Sequence, residues 1–221
     1  LNWAIVASRF DVADYLLENG FSVNTPAPDG SVPIHAAFKS PFESIDYMLD
    51  KGADINAADS TGTTPLMRAT LWTSDADKVE YLISKGAKVN VSNNFGWTPL
   101  INAVMSDSLD TVEMLLSSGA DANCKNCIVN DSCEELIGTP LTMAARQGNY
   151  KICKTLLEHK ADINLREFRN NYSPLHIASI RGYSDIAQLL LENNVDPNVK
   201  DGHGYIPLYY AQKHGHGAIA E

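Results

Sequence analysis

Three of the chain's four cysteines, Cys124, Cys127 and Cys133, fall within ten residues of one another, in the stretch NCKNCIVNDSCEELIGTP. Sulfur at that density suits three chemistries. A structural zinc site wants four nitrogen or sulfur ligands in a tetrahedron. Cys124 and Cys127, at Cys-x2-Cys spacing, supply half of one, but Cys133 has no close partner and His159 is only a guess. A disulfide, Cys127–Cys133 or Cys124–Cys133, would pin the stretch and implies an oxidising compartment, periplasmic or extracellular. Reduced thiols in a cytoplasmic loop are the third reading, and the cytoplasm is the favoured location. The fourth cysteine, Cys153 in YKICKTLLE, sits in an apolar helical pattern and reads as a buried thiol.

Other reactive types do not assemble into a catalytic pattern. The sequence has no Gly-rich phosphate loop, no Gly-x-Ser-x-Gly elbow and no His-Glu-x-x-His run. Glu134-Glu135 and Asp75-x-Asp77 lie in turn-like stretches without an opposing acid. The reading is therefore no enzyme, no cofactor and no metal. A net charge of −10 weighs against nucleic acid, whose phosphates need Lys and Arg to displace counterions. No stretch is apolar for the roughly 18 residues that a membrane helix needs. The charge is uneven. Residues 1–124 carry 7 Lys/Arg against 16 Asp/Glu, a net of −9, so a basic partner surface opposite residues 1–124 is one expectation.

What must position these residues is a repeat. GSVPIHAA, GTTPLMRA, GWTPLINA, IGTPLTMA, NYSPLHIA and GYIPLYYA align on Pro33, Pro65, Pro99, Pro140, Pro174 and Pro207. The second signature, as in KGADIN, closes at Asn24, Asn56, Asn90, Asn123, Asn164 and Asn198. Pro suits the first helical position, whose N–H has no partner, and Thr98, Thr139 and Ser173 stand just before it as N-caps. Amphipathic runs such as DIAQLLLE follow, ending at Gly20, Gly52, Gly86 or Gly119, where a left-handed cap wants no side chain. Lys160 and Asn194 hold the same place.

A period near 33 with T-P-L-H-x-A and G-A-D-x-N resembles the ankyrin repeat family over the whole chain. The resemblance implies an all-α ankyrin-repeat solenoid: stacked helix-turn-helix units with short β-hairpin-like fingers. The expected divisions are a partial repeat at 1–24, repeats at 25–56, 57–90, 91–123, 124–164 and 165–198, and a partial repeat at 199–221. The repeat 124–164 carries the cysteine-rich insertion in its finger. Neither end reads as a polar cap, so a piece of a longer array or protein is expected, an N-terminal half-repeat acting as its own cap being the alternative. Leu66, Leu100, Leu141, Leu175 and Leu208 should be core, and His35 and His176, at the H of T-P-L-H, should be structural.

The resemblance also implies a non-catalytic module, a monomer, that binds another protein on a concave finger and first-helix surface. The positions carried over are Leu71, Trp72, Phe95, Trp97, Met105, Arg146, Arg169, Tyr172, Arg181 and Tyr205. Phe95, Trp97 and Tyr172 have a second reading, packing of finger against finger. A recognition domain of a larger scaffold, adaptor or effector is the first expectation. A stand-alone inhibitor or immunity-type protein occluding an enzyme, exported if its cysteines are oxidised, and a structural spacer are the alternatives.

Overall fold

The computed structural model describes residues 1–72, 75–125, 138–167 and 170–220. They form helix pairs in chain order. The first pair is α1 (Asn2–Val6) with α2 (Phe10–Glu18), and the second is a 3-10 helix (Pro33–Lys39) with α3 (Phe42–Asp50). Then come α4 (Pro65–Trp72) with α5 (Ala76–Ser84), α6 (Pro99–Met105) with α7 (Leu109–Ser117), and α8 (Pro140–Gln147) with α9 (Tyr150–Glu158). The series ends with α10 (Pro174–Arg181) and α11 (Ser184–Glu192), and α12 (Pro207–His214) with α13 (Gly217–Ala220). The described residues contain no strand.

Each of the six aligned prolines opens a first helix. The N-cap hydroxyls act as the spacing predicts: Thr98 accepts from Ile101 N–H, Thr139 from Thr142 N–H and Ser173 from His176 N–H. Gly20, Gly52, Gly86 and Gly119 end the second helices at positive φ, and Lys160 and Asn194 adopt the same conformation at 64° and 62°. The 3-10 helix departs from the pattern. Val32 has no hydroxyl to accept from the helix; the His35 ring accepts the Val32 N–H, as the His176 ring does that of Ser173. Pro41 holds Ser40 extended. The freed Ser40 carbonyl takes the ammonium of buried Lys78, which also lies over the Phe42 ring at 4.2 Å.

First helices stack on first helices along the chain, and more extensively than second helices do on theirs. The stack therefore bends with the first helices inside. Buried small residues permit that approach: Ala37, Ala69, Ala103, Ala144, Ala178 and Ala211. Second helices contribute stripes at i and i+3 or i+4, such as Val79 with Leu82 and Ile152 with Leu156. Leu66, Leu100, Leu141 and Leu175 join the same core. Leu208 does not: at 37% exposed it corrects the sequence reading, since no described first helix packs on the far side of α12.

The closing asparagines clamp one unit to the next. Asn56 Nδ2 donates to Gly86 O (3.1 Å) while its Oδ1 accepts from Lys88 N–H (2.8 Å). Asn90 repeats this with Gly119 and Asp121, and Asn123 with Lys160 and Asp162. On the outer side a second clip recurs. The Tyr47 hydroxyl and Lys51 both reach Asp14, with Phe10 stacked on Tyr47. One unit later Tyr81 and Lys85 reach Asp46, with Phe42 against Tyr81. These pairs are solvent-exposed and screened, so each adds little to stability.

Candidate partner-binding face

The inner side is built from fingers and first helices. Three of the described fingers fold around a carboxylate or amide in the same way. Asp59 Oδ1 accepts the N–H groups of Thr61 (2.8 Å) and Thr63 (3.0 Å), closing a turn through Gly62. Asn93 does the same for Phe95 and Trp97, and Asp201 for His203 and Tyr205. The finger before α10 is one residue longer, and there Asn171, at φ 55°, stands where the others have glycine. Successive fingers join through Ser60 N–H to Asp29 O (3.1 Å), Asn94 N–H to Thr61 O (2.9 Å) and Gly202 N–H to Asn170 O (2.9 Å). The two T-P-L-H-type histidines tie helix to finger. The Nε2–H of His35 donates to Thr63 O and that of His176 to Tyr205 O, both at 3.0 Å. Burial pushes both imidazoles below their ordinary pKa, against the pull of those carbonyls, so they are neutral at pH 7.

On this frame the face is uneven. Leu71 and Trp72 end α4 at 43% and 69% exposed, beside a hollow of about 540 Å³ shared with Phe38, Asp59, Thr63 and Arg68. Trp3, at 73%, lines an adjoining hollow with Val32, Lys39 and Arg68. Phe95 is exposed at a fingertip, and Tyr205 is exposed and stacked on Tyr209 at 4.1 Å. Trp97, Met105 and Tyr172 are half-buried and packed against the core. The Tyr172 ring lies 5.5 Å from that of Tyr210, and the two hydroxyls are 3.3 Å apart. Arg146 is engaged with buried Glu167, whereas Arg181 is exposed. Arg169 lies outside the described residues.

Cys127 and Cys133 also lie outside the described residues. Cys124 is a free thiol 3.3 Å from Thr98 Oγ1, and burial pushes its pKa up to about 11. Cys153 is buried, as its helical register predicts, with its pKa pushed up to about 12. His159 caps α9, its Nδ1–H on Thr155 O at 2.9 Å. Among the described residues no three His, Cys, Asp or Glu side chains come together as metal ligands. Nor is any described helix long and apolar enough to cross a membrane.

One feature escapes a residue-by-residue reading of the sequence. The seven first helices contain no Asp or Glu but carry Lys39, Arg68, Arg146, Arg181 and Lys213. Ten of the sixteen acids of residues 1–124 lie on α2, α3, α5 and α7, the outer layer. Most of the acidic excess of the first half therefore lies away from the hollows, although Asp59, paired with Arg68, lines one of them.

Paired helices stacked through turn-bearing fingers define the class: a repeat solenoid whose inner wall is a continuous surface. A family model described as "Ankyrin repeats (3 copies)" matches residues 1–93, 34–126, 127–201 and 167–221. The chain belongs to the ankyrin repeat family. Its fold is similar to the crystal structure of the ankyrin repeat domain of Bcl-3, with a TM-score of 0.82 and 22% identity over 100% of this chain and 97% of that one. By sequence it is 32% identical over 108 residues to alpha-latrocrustotoxin-Lt1a of Latrodectus tredecimguttatus, covering 48% of this chain and 7% of the toxin. It is 38% identical over 85 residues to the probable E3 ubiquitin-protein ligase XBOS33 of Oryza sativa subsp. japonica, covering 38% of this chain and 16% of the ligase. The chain thus spans a small part of the curated relatives it matches. Ankyrin repeats are protein–protein interaction modules.

Proposed function

We propose that this chain is a non-catalytic recognition module that meets a partner protein on its finger and first-helix face, within a larger scaffold, adaptor or effector protein. The observation that carries this is the exposure of Trp72 and Leu71 at the rim of a preformed hollow, with Trp3 in the next one. Large aromatic side chains held on a rigid wall lose little entropy on binding and dominate interface energetics. Water contact at these positions has no compensating role inside the solenoid. The matches to short stretches of long relatives support the larger-protein context.

The test is affinity capture from the native source with three baits, each checked by circular dichroism. These are the parent chain, an inner-face variant (Leu71→Ser with Trp72→Ala) and an outer-face variant (Tyr15→Ala with Leu191→Ser). The expected result is a protein retained by the parent and outer-face baits and lost by the inner-face bait. Loss on the outer-face bait alone would move the interface to the second helices and overturn the reading.

A further inference from the structure

We propose that the hollow between α8, α10 and α12 receives an acidic segment of the partner, with its Asp and Glu side chains paired to Arg181 and Lys213. This rests on the inner-face reading above and assigns the occupant its chemistry. The hollow has a volume of about 400 Å³ and is lined by Arg146, Tyr172, Ile180, Arg181, Lys213 and His214 among others, with no carboxylate among the described residues of its wall.

The two acids bonded to lining residues are already committed. Buried Glu167 holds Arg146. Buried Asp201 accepts from the Tyr210 hydroxyl (2.5 Å) and from the N–H groups of His203 (2.8 Å) and Tyr205 (2.9 Å). Arg181 and Lys213 are exposed, and neither forms an ion pair with a carboxylate among the described residues. The Lys213 ammonium lies only over the Tyr209 ring, at 5.6 Å. A neutral segment in the hollow would desolvate these cations without pairing them, and a basic one would add repulsion. Carboxylates would pair both, Arg181 through its two-pronged guanidinium. Tyr172 and Ile180 offer a flat, partly apolar wall for the backbone of the same segment. The acids of the chain's own outer layer add long-range repulsion for an acidic approach from that side, so the inner face is the favoured entry.

The experiment is fluorescence anisotropy with two short labelled peptides, one rich in Glu and Asp around a central Leu, the other with Gln and Asn in their place. The expected result is binding of the acidic peptide that weakens with added salt. Arg181→Glu with Lys213→Glu should reduce that affinity about tenfold or more, whereas Lys154→Glu on the outer face should not change it. No binding of the acidic peptide, or binding indifferent to the Arg181/Lys213 reversal, would overturn the proposal. The inner-face reading would then still be judged separately by the Leu71/Trp72 baits. Self-association of the chain abolished by the same reversal would also overturn it, since the occupant would then be the acidic outer layer of a second copy.

Discussion

Asp59 offers the clearest test of how charge holds a finger. Its carboxylate accepts Thr61 N–H, the Thr61 hydroxyl (2.6 Å) and Thr63 N–H, and pairs with Arg68 at 2.8 Å. Burial alone would raise its pKa, but the bonds from Arg68, Thr61 and the Thr63 amide outweigh burial and bring it from 3.8 down to about 2. A depressed folded pKa means the carboxylate stabilises the fold above its unfolded pKa, and that contribution is lost as pH falls through the folded one. The gap from 3.8 to about 2, at about 1.36 kcal/mol per pH unit, corresponds to about 2 kcal/mol at pH 7. At pH 3 the unfolded carboxylate is largely protonated and the folded one is not, and the contribution falls to about half of that. Asp59→Asn keeps an oxygen for the two amides and removes the charge. Urea denaturation at both pH values should therefore show a deficit of about 2 kcal/mol at pH 7 and about half of that at pH 3. An equal deficit at both would place the loss in geometry and refute the electrostatic argument. A deficit under about 0.5 kcal/mol at pH 7 would mean that solvent screens the Arg68 pair.

Further substitutions probe three other joints. Arg146→Met leaves the Glu167 carboxylate buried, with its Oε1 already lacking a hydrogen bond, and should cost about 3 kcal/mol at neutral pH. Burial raises the Glu167 pKa against the pull of Arg146, so the penalty applies above that pKa and eases as pH falls through it. Adding Glu167→Gln should restore most of the loss in urea melts. Asn90→Ala removes the bonds to Gly119 O and Asp121 N–H and should cost about 1–2 kcal/mol, seen as faster amide exchange at Asp121. Gly148→Ala places a Cβ 2.7 Å from the Tyr183 ring at φ 79°, whereas Gly86→Ala meets open space at φ 94°. Both should lose about 1 kcal/mol to backbone strain, and the Gly148 variant should lose visibly more in thermal melts. Equal losses would show that the ring yields freely.

The fold was legible because the repeat writes backbone requirements into residue type. Proline at a first helical position, glycine at a left-handed cap and a closing asparagine each answer an unsatisfied N–H, a positive φ or a free carbonyl, and each recurs where its cause recurs. Asn194 and Lys160 confirm the principle by standing at positive φ in glycine's place. What the repeat could not show is where an instance lacks its device. One first helix, between Val32 and an extended Ser40, is 3-10, and Lys78, from the next unit, donates to the Ser40 carbonyl at its end. Burial by a neighbour is likewise a property of the stack. Leu208 matches Leu175 in register yet is exposed, and Trp97 and Tyr172, aligned with fingertip positions, are half-buried, Tyr172 between His176 of its own unit and Tyr210 of the next.

Charge is the case in which reading along the chain and reading across it give different answers. Counted by halves, the sequence is acidic at one end. Sorted by the repeat, it is acidic outside and basic inside, and the helices supply a reason. The first helices run parallel, so their C-terminal ends align, and carbonyls there carry partial negative charge that favours cations. Lys39, Arg146, Arg181 and Lys213 occupy those last turns, while Asp11, Glu43, Asp77, Asp110 and Asp185 occupy first turns of second helices. Such placements are individually weak but favourable, enough to bias residue type at these helix ends without any partner. Dipole complementarity therefore accounts for the sign of the inner face, and for Arg68 and Arg146 the buried acids Asp59 and Glu167 account for the rest. Arg181 and Lys213 have the dipole but no carboxylate partner among the described residues. Their charge is left to meet something outside the chain, so reversing those two, and not the paired arginines, separates a surface built for recognition from one that merely folds.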